Sequence, residues 1–272
     1  MTPCRALLAD GRRWHFQHGP IDLIIEAFGA PDQVVAAYDA AWRRFETILV
    51  ELVDELPLLR EPAGSTLTGS VARRMKAACE VHRNVFVTPM AAVAGAVADE
   101  VLAAMTAAAR LERAYVNNGG DIAIHLAPGE SFRTGIVTLG AAPALDGFAD
   151  VTAAVGGIAT SGWRGRSLSL GIADSVTVLA RSAAQADVAA TLIANAVQVD
   201  DLAILRQPAS RLDADSDLGD RLVTVNVGPL SPETVALALE RGLAVARTMN
   251  LAALLSLQGS SVTTVEGLEI AA

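Results

Sequence analysis

The spacing of hydrophobic residues alternates along the chain between the three-to-four-residue period of a helix and the short apolar runs of strands. From Asp32 to Leu56, apolar side chains recur every three or four residues, which predicts a long helix with Asp32 as its N-cap. An alanine-rich helix is predicted from Thr88 and Pro89, a hydroxyl cap followed by proline, to Arg110. Three more helices are predicted at Thr68–Cys79, Gln185–Val197 and Ser231–Met249.

Short apolar segments bounded by turn residues predict strands between these helices. They are residues 5–10, 12–16, 21–28, 151–159, 175–180, 222–227, 252–257, 260–265 and 269–271. Residues 128–150 contain two turn dipeptides and are predicted to be rich in loops, and residues 206–220 are predicted to form an acidic, irregular crossover. Because hairpins are mixed with helical crossovers, we expect an α+β fold with mixed or antiparallel sheets.

No low-complexity linker or abrupt change in composition divides the 272 residues. The pattern therefore predicts a single domain over residues 1–272, and its order is also compatible with two similar α/β halves. Hydrophobic residues make up 52% of the chain but aromatic residues only 4%, which indicates a core of small side chains in closely packed elements.

The composition narrows the classes of partner. A formal net charge of −9 argues against nucleic-acid binding but leaves room for a small anionic ligand held by backbone amides. Cys4 and Cys79 form no CxxC pair and the N-terminus lacks a signal-peptide pattern, so we expect a cytoplasmic protein. The segment Pro89–Ala109 is apolar, but Asp99 and Glu100 interrupt it, which favours a buried helix over a membrane span. Long apolar helix faces are compatible with a homodimer.

A glycine turn between two apolar runs is the first candidate site. Asn118, Gly119, Gly120 and Asp121 form a pattern typical of a tight hairpin. Two adjacent glycines also let a ligand approach the backbone closely, and Asp121 lies beside that gap. An ordinary hairpin and a ligand site both explain the spacing.

A second candidate site follows the next extended segment. Thr160, Ser161 and Gly162 can present hydroxyl and backbone N–H groups to a phosphate. Arg166 and Ser167 come soon after, and the planar guanidinium of arginine suits phosphate or carboxylate groups. The alternative interpretation is a polar surface loop.

A carboxylate and a hydroxyl one helical turn apart form the third candidate. Asp187 and Thr191 share one face of the predicted helix, and oxygen ligands of this kind suit Mg²⁺. A helix cap and a buried threonine explain the same spacing. The four histidines show no spacing typical of zinc sites, and neither a GxSxG nor a Walker-type motif occurs.

Taken together, these blocks resemble the ApbE-type FAD:protein FMN transferases. The blocks Asn118–Ile122, Ala159–Gly162 and Val176–Ala180, followed by Asp187 and Thr191, occur in that family in this order and with similar gaps. The likeness covers about residues 85–200. The segments that begin at Thr88 and Ser167 are similar to those of a branch related to ApbE.

The resemblance implies an ApbE-like α+β fold with a cleft that binds FAD in the transferases. Asp187 and Thr191 match the Mg²⁺ ligands of the family, which a backbone carbonyl near Ala91 completes. The family's reaction is phosphoryl transfer, in which FMN passes to a target threonine and AMP leaves.

Two departures from the family pattern change the expected ligand. Ala94 stands where the transferases have a lysine, and residues 166–174 lack their His-x-x-Asp-Pro block. We therefore expect a protein that holds a phosphorylated flavin- or nucleotide-type ligand in a glycine-lined cleft, with Mg²⁺-assisted phosphoryl transfer as the chemistry such a cleft suits. A true FAD:protein FMN transferase and a non-catalytic scaffold or subunit are the alternatives, and the sequence leaves open whether the protein is an enzyme.

Overall fold

The computed structural model describes residues 2–62, 66–138, 144–264 and 268–270. Contacts within the chain define two compact units, each built from three separate segments. The first unit comprises residues 1–132, 151–159 and 180–188, and the second comprises residues 133–150, 160–179 and 189–272.

Within the described residues the chain forms six α-helices and fourteen strands. The helices are α1 (Pro31–Asp54), α2 (Leu56–Leu59), α3 (Ser70–Glu80), α4 (Val93–Ala108), α5 (Ala183–Ala196) and α6 (Pro232–Met249). The first strands are β1 (Cys4–Leu7), β2 (Trp14–His18), β3 (Ile21–Phe28), β4 (Arg113–Asn118), β5 (Asp121–Leu126), β6 (Phe132–Thr138) and β7 (Ala144–Val151). The others are β8 (Gly157–Ser161), β9 (Ser175–Ala180), β10 (Ile204–Pro208), β11 (Leu222–Val227), β12 (Ala252–Leu257), β13 (Ser260–Thr263) and β14 (Leu268–Ile270).

The sheet of the first unit follows the order β1-β2-β3-β4-β5-β8, and these neighbours pair antiparallel. Consecutive strands joined by short turns account for most of this order. Leu23 and Ile25 alternate with more exposed neighbours along β3 and are completely buried. One face of the sheet is thus apolar and must be covered by helices.

Helices α1 and α4 supply that covering layer. Phe45 and Ile48 of α1 are completely buried, and the ring of Phe45 lies 5.4 Å from that of Phe16 on β2. Trp42 meets Phe16 edge-on at 5.1 Å. The helical stripe in the sequence is therefore a core-packing stripe.

Helix α4 and the short 3₁₀ turn before it, Pro89–Ala92, form the most apolar helical segment. By length and composition this segment, Pro89–Ala108, is one that could cross a membrane, and 44% of its most apolar window is buried within the protein. It packs against α1, α3, β4 and β5. Core helices of globular proteins meet the same length and composition test, so the segment is a weak indicator of a membrane span.

The second unit contains its own antiparallel pairs. Strand β12 pairs with β9 on one side and β13 on the other, β10 pairs with β11, and β14 pairs with β7. Helix α6 packs against β12 and β13, where Leu239 and Leu254 are buried almost completely. Its N-cap is Ser231, whose hydroxyl accepts a hydrogen bond from the Thr234 N–H at 3.2 Å.

The predicted α+β fold class with antiparallel sheets and helical crossovers is confirmed. The prediction that residues 128–150 are rich in loops was wrong, because β6 and most of β7 lie there, with residues 139–143 outside the described ranges. The predicted strand at residues 151–159 is only partly present, because β7 ends at Val151 and β8 begins at Gly157. Two predicted strands end at residues outside the described ranges, Val265 and Ala271.

The predicted N-cap of the first long helix was also wrong. Ala30 occupies that position, and Pro31 follows it as the first helical residue. Asp32 lies in the first turn, where its negative charge is favourable next to the helix N-terminus. Two turn-forming residues side by side made the exact start ambiguous in the sequence.

Candidate functional site

The predicted glycine turn is a two-residue hairpin loop between β4 and β5. Asn118 faces Asp121 across the ladder, so Gly119 and Gly120 alone form the loop. Their φ angles are +65° and +114°, which L-residues with a side chain rarely adopt. Apart from atoms of its two chain neighbours, no atom lies within 4 Å of the position that a Cβ on Gly120 would occupy, so there is open space in front of that residue.

The two asparagines before this loop hold it in place. The Asn117 Oδ1 accepts a hydrogen bond from the Gly120 N–H at 2.8 Å. Asn118 is 5% exposed, and its amide donates to the Ala94 carbonyl at 3.1 Å while its Oδ1 accepts from the Asp22 N–H at 3.5 Å. The Asn118 side chain therefore ties the hairpin to the first turn of α4.

Asp187 lies at the N-terminus of α4, although it belongs to α5. Its Oδ2 accepts a hydrogen bond from the Gly95 N–H at 2.9 Å, and the Ala94 N–H also donates to the carboxylate. The residue before α4, Ala92, has no side chain that could satisfy these donors. Asp187 thus caps a helix other than its own, while the charge of its carboxylate faces the positive end of the α4 dipole.

The electrostatic environment of Asp187 is unusual for a cap. Removal of the carboxyl group from water and then the nearby charge of Asp121 raise the pKa of Asp187 well above its ordinary value, despite the two N–H donors. Burial and, secondarily, the charge of Asp187 raise the pKa of the Cys79 thiol to about 12. The half-buried Asp187 carboxylate therefore lies within reach of the charge of a second carboxylate, that of Asp121.

A second acidic residue caps the helix that carries Asp187. Asp99, in the second turn of α4, accepts hydrogen bonds from the Ala183 N–H at 3.0 Å and the Ala184 N–H at 2.9 Å, one with each oxygen. The hydroxyl of Ser182 accepts from the Gln185 N–H at 3.3 Å. The capping is reciprocal, because α4 supplies a carboxylate to α5 and α5 supplies one to α4.

Three glycines allow the start of α5 to lie unusually close to its neighbours. A Cβ on Gly95 would lie 2.3 Å from the Ala183 carbonyl oxygen. On the other side, a Cβ on Gly156 would lie 2.1 Å from the Arg181 carbonyl oxygen, and one on Gly157 would lie 2.2 Å from the Ala183 nitrogen. These glycines are packing positions, and they fix the start of α5 between α4 and β8.

Thr191 follows Asp187 by one turn on α5 and is half-buried. The helical period places the two residues on one face, as the sequence predicted. Among the described residues, no three His, Cys, Asp or Glu side chains are close enough to hold a metal ion by themselves. A cation here would need hydroxyl, backbone and water oxygens in addition to the two carboxylates, and Mg²⁺ commonly uses such mixed sets.

Thr191 and the remaining predicted residues belong to the second unit. Thr160 and Ser161 end β8 and are half-buried, and the Thr160 hydroxyl shares a hydrogen bond of 2.8 Å with that of Thr177. Gly162 is buried, and a Cβ there would lie 2.4 Å from the Asp174 carbonyl oxygen. Gly162 is thus required by close packing, whatever else it contacts.

Arg166 and Ser167 lie in an exposed turn of the second unit. The neighbouring Arg164 is already engaged, since its guanidinium stacks on the Trp163 ring at 4.2 Å and its Nε lies 3.3 Å from Asp174. Both arginines of this segment are exposed, and Arg164 is the one that these contacts engage. That these groups share one cleft with Asp187 stays a prediction.

A cavity of about 770 Å³ lies elsewhere in the first unit, lined by residues that include Gln33, Thr106, Arg110 and Glu112. It lies at the C-terminal end of α4, whereas Asp187 lies at the N-terminal end. A helix of this length spans about 24 Å, so the cavity is separate from the carboxylate pair.

In the first unit the structure brings together the hairpin loop, Asp121, Asp187 and the start of α4. Sequence reasoning identified Asp121 and Asp187 but missed that Asp99 and Asp187 cap each other's helices. When a carboxylate lies in the middle of one helix, the residues next to it in the sequence do not indicate that it caps a different helix. A glycine in an alanine-rich helix, Gly95, was the available signal of close helix approach.

A model of the family described as "AbpE bacteria" matches residues 5–263. The chain belongs to this family. The relationship to ApbE predicted from the sequence blocks is confirmed.

Two curated relatives have similar sequences over part of their length. The UPF0280 protein of Methanothrix thermoacetophila is 39% identical over 153 residues, which are 55% of this chain and 62% of the relative. The UPF0280 protein of Methanoregula boonei is 38% identical over 133 residues, 47% of this chain and 54% of the relative. The chain thus matches little more than half of the length of these curated relatives.

Among solved structures, the apo form of the Pseudomonas stutzeri flavinyl transferase ApbE is similar. Its TM-score is 0.50 at 13% sequence identity, and the alignment covers 96% of this chain and 93% of that chain. At this identity the similarity shows a shared fold.

Proposed function

We propose that the protein binds a phosphorylated ligand of the flavin or nucleotide type together with Mg²⁺, next to the β4–β5 hairpin loop. The observation that carries this proposal is the half-buried Asp187 carboxylate, on which the charge of Asp121 acts, beside a glycine loop with open space in front of it. Membership of the ApbE-related family and the fold of a flavinyl transferase support a flavin-type ligand.

The chemistry of the carboxylate pair supports a divalent cation. The charges of Asp121 and Asp187 repel each other, and burial disfavours the charge of Asp187. A hard cation relieves both effects, and Mg²⁺ is commonly held by one or two carboxylates, waters and the phosphates of its ligand. Asp187, Asp121 and Thr191 would hold the ion, which would neutralise charge on a bound phosphate group.

The other predicted residues have distinct proposed roles. Asn118, Gly119 and Gly120 shape the loop against which the ligand lies. Thr160, Ser161 and Gly162 contribute hydroxyl and backbone N–H groups for anionic oxygens, and Arg166 with Ser167 reads the part of the ligand that replaces flavin-specific contacts. We further expect a cytoplasmic protein with no nucleic-acid or membrane partner, and its chain is compatible with a homodimer.

The reciprocal helix caps favour a second candidate, a non-catalytic scaffold or subunit. In that case Asp187 serves only to satisfy the N–H groups of Ala94 and Gly95. Flavin transfer itself is a third candidate and predicts release of AMP from FAD in the presence of an acceptor protein. Ala94 and the missing His-x-x-Asp-Pro block make transfer the weaker enzyme hypothesis.

Calorimetric titration with FAD, FMN and ADP, each with and without Mg²⁺, tests the proposal. We expect at least one ligand to bind, with an affinity that Mg²⁺ increases. We expect Asp187→Asn to abolish the effect of Mg²⁺, because the amide lacks the charge that attracts the ion. A wild-type protein that binds none of the three ligands would refute the proposal.

Glu55→Gln is the matched control. Glu55 also accepts hydrogen bonds from two backbone N–H groups, those of Thr68 at 2.9 Å and Gly69 at 2.6 Å, but the charge that acts on it is that of a cation, Arg73. This variant loses a carboxylate cap and should keep the effect of Mg²⁺. If Asp187→Asn is less stable but binds ligand and Mg²⁺ as the wild type does, Asp187 has only the scaffold role.

A further inference from the structure

Asp99 lies close to Asp187 in space, but the two carboxylates bond to different helices. Asp99 is held on α4 and accepts from the first two N–H groups of α5, whereas Asp187 is held on α5 and accepts from the start of α4. We propose that Asp99 is a positioning residue, which sets the place of Asp187 for binding a divalent cation. This inference rests on the proposed function.

The contacts at the start of α5 carry the argument. Asp99 binds N–H groups four and three residues before Asp187, which is about one turn of helix. A carboxylate that accepts one N–H with each oxygen fixes both the axial position and the rotation of that turn. Because a short segment of rigid helix joins the two residues, a shift of the first turn moves the Asp187 side chain.

Close packing allows little other adjustment. Gly95 lets α4 approach the Ala183 carbonyl, and Gly157 lets β8 approach the Ala183 nitrogen. The Gly95 N–H in turn donates to Asp187. The start of α4 therefore contacts both the turn that Asp99 holds and the carboxylate that this turn positions.

The charge of Asp99 acts in the same region. Burial outweighs its two N–H donors and raises the pKa of the Asp99 carboxyl group, and its charge adds to those that disfavour ionisation of Asp187. Loss of this charge would also weaken attraction of a cation, so the experiment must separate position from charge.

Asp99→Asn and Asp99→Ala provide that separation, because both remove the charge but only Asn keeps an acceptor for an N–H group of α5. A loss of affinity that is larger in Asp99→Ala is therefore an effect of position. The neighbouring residue controls for stability. Glu100 carries the same charge on the same turn of α4, but it contacts Arg44, Arg74 and Ser70 at distances of 2.9, 2.7 and 2.6 Å. These contacts join α4 to α1 and α3 and do not involve α5. Glu100→Gln therefore removes one charge and some stability without altering the cap of α5.

Titration of the full chain with Mn²⁺, a spectroscopic substitute for Mg²⁺, tests the proposal by electron paramagnetic resonance of the free ion. The wild type, Asp99→Asn, Asp99→Ala and Glu100→Gln are compared at a temperature where thermal scans show all four to be folded. We expect Asp99→Asn to weaken Mn²⁺ binding by about tenfold to 100-fold, the range for partners that orient a metal ligand. Glu100→Gln should remain within about twofold of the wild type while its Tm falls.

Each other outcome has a definite meaning. Equal affinities of Asp99→Asn and the wild type would overturn the positioning role and leave the proposed function intact. Equal weakening in Asp99→Asn and Asp99→Ala would also overturn it, because charge would then explain the loss, and equal weakening in Asp99→Asn and Glu100→Gln would overturn it because stability would. A wild type that binds no Mn²⁺ would overturn the proposed metal site and this inference with it. Asp99→Ser, which keeps a smaller acceptor, replaces Asp99→Asn in the same comparison if the latter does not fold.

Discussion

At the scale of single residues, the candidate site depends on positions where a side chain is absent as much as on those where one is present. Gly119 and Gly120 adopt left-handed φ angles, and Gly95 leaves room for another helix. Asp187 then accepts a hydrogen bond from the Gly95 N–H. The glycines and acidic residues of this motif are therefore required for packing, and any role in binding is additional to that.

Gly95→Ala tests this packing at a single position. Its Cβ would lie 2.3 Å from the Ala183 oxygen and 2.7 Å from the Ala184 nitrogen, and backbone atoms cannot rotate away. We expect the free energy of unfolding, measured with urea, to fall by about 1–3 kcal/mol, the range for overpacked cores.

Gly165→Ala is the control for loss of a glycine. Gly165 is exposed, has no left-handed φ angle, and its Cβ would lie 3.2 Å from the nearest atom, the Gly162 oxygen. Its effect should be smaller than that of Gly95→Ala, because a shift of a few tenths of an ångström in an exposed turn relieves the 3.2 Å contact. A Gly95→Ala variant as stable as the wild type would show that α4 and α5 can separate at no cost.

At the scale of elements, α4 organises the first unit. The first turn of α4 accepts a hydrogen bond from Asn118 of the hairpin and donates one to Asp187. In its second turn, Asp99 caps α5, and the adjacent Glu100 contacts α1 and α3. An apolar, alanine-rich helix can contact so many elements because small side chains allow close approach. The same composition gives it the length and hydropathy of a membrane span.

The Glu100 contacts predict a dependence of stability on pH. Burial alone would raise its pKa, but hydrogen bonds from Ser70, Arg74 and Arg44 outweigh burial and lower the pKa to about 2 from an ordinary 4.5. Since the folded-state pKa is the lower one, ionised Glu100 stabilises the fold above about pH 4.5, and this contribution is lost as the pH falls towards 2.

Urea unfolding of the wild type and Glu100→Gln between pH 7 and pH 3 measures this contribution. We expect the wild type to be the more stable at pH 7 and the difference to shrink as the pH falls. Glu240→Gln is the control, because Glu240 pairs with Arg247 at 2.9 Å with both side chains about 60% exposed, and such pairs contribute little. A difference that is the same at pH 7 and pH 3 would contradict the role of Glu100.

At the scale of the whole molecule, the two compact units are interleaved in sequence. The chain passes from one unit to the other after residues 132, 150, 159, 179 and 188. No single cut in the chain separates a complete unit, so we expect neither to fold on its own. The prediction of one domain over residues 1–272 therefore becomes a prediction of one cooperative unfolding transition.

The three tryptophans allow this to be measured. Trp14 and Trp42 lie in the first unit and Trp163 in the second. In Trp163→Phe, fluorescence reports only the first unit, and in the double variant Trp14→Phe, Trp42→Phe it reports only the second. Within each variant we expect the urea midpoint by fluorescence to coincide with that by circular dichroism, which reports both units. Separate midpoints would show two independently folding domains.

The sequence by itself determined the α+β class, most helices, the glycine hairpin and the family, because periodicity, turn residues and short motifs are local signals. It misplaced the first helix cap and missed β6 and most of β7, where glycine and proline dipeptides indicated loops. It also identified Asp187 while leaving a cap and a metal ligand as alternatives.

Only the tertiary structure decided which groups Asp187 and Asp99 contact. Their partners are backbone N–H groups about 90 and 85 positions away along the chain, and such groups carry no sequence signature. The raised pKa of Asp187 likewise depends on burial and on Asp121, two properties that arise when distant segments pack together. Local patterns determine elements, whereas the contacts and charges of a site exist only once those elements have packed.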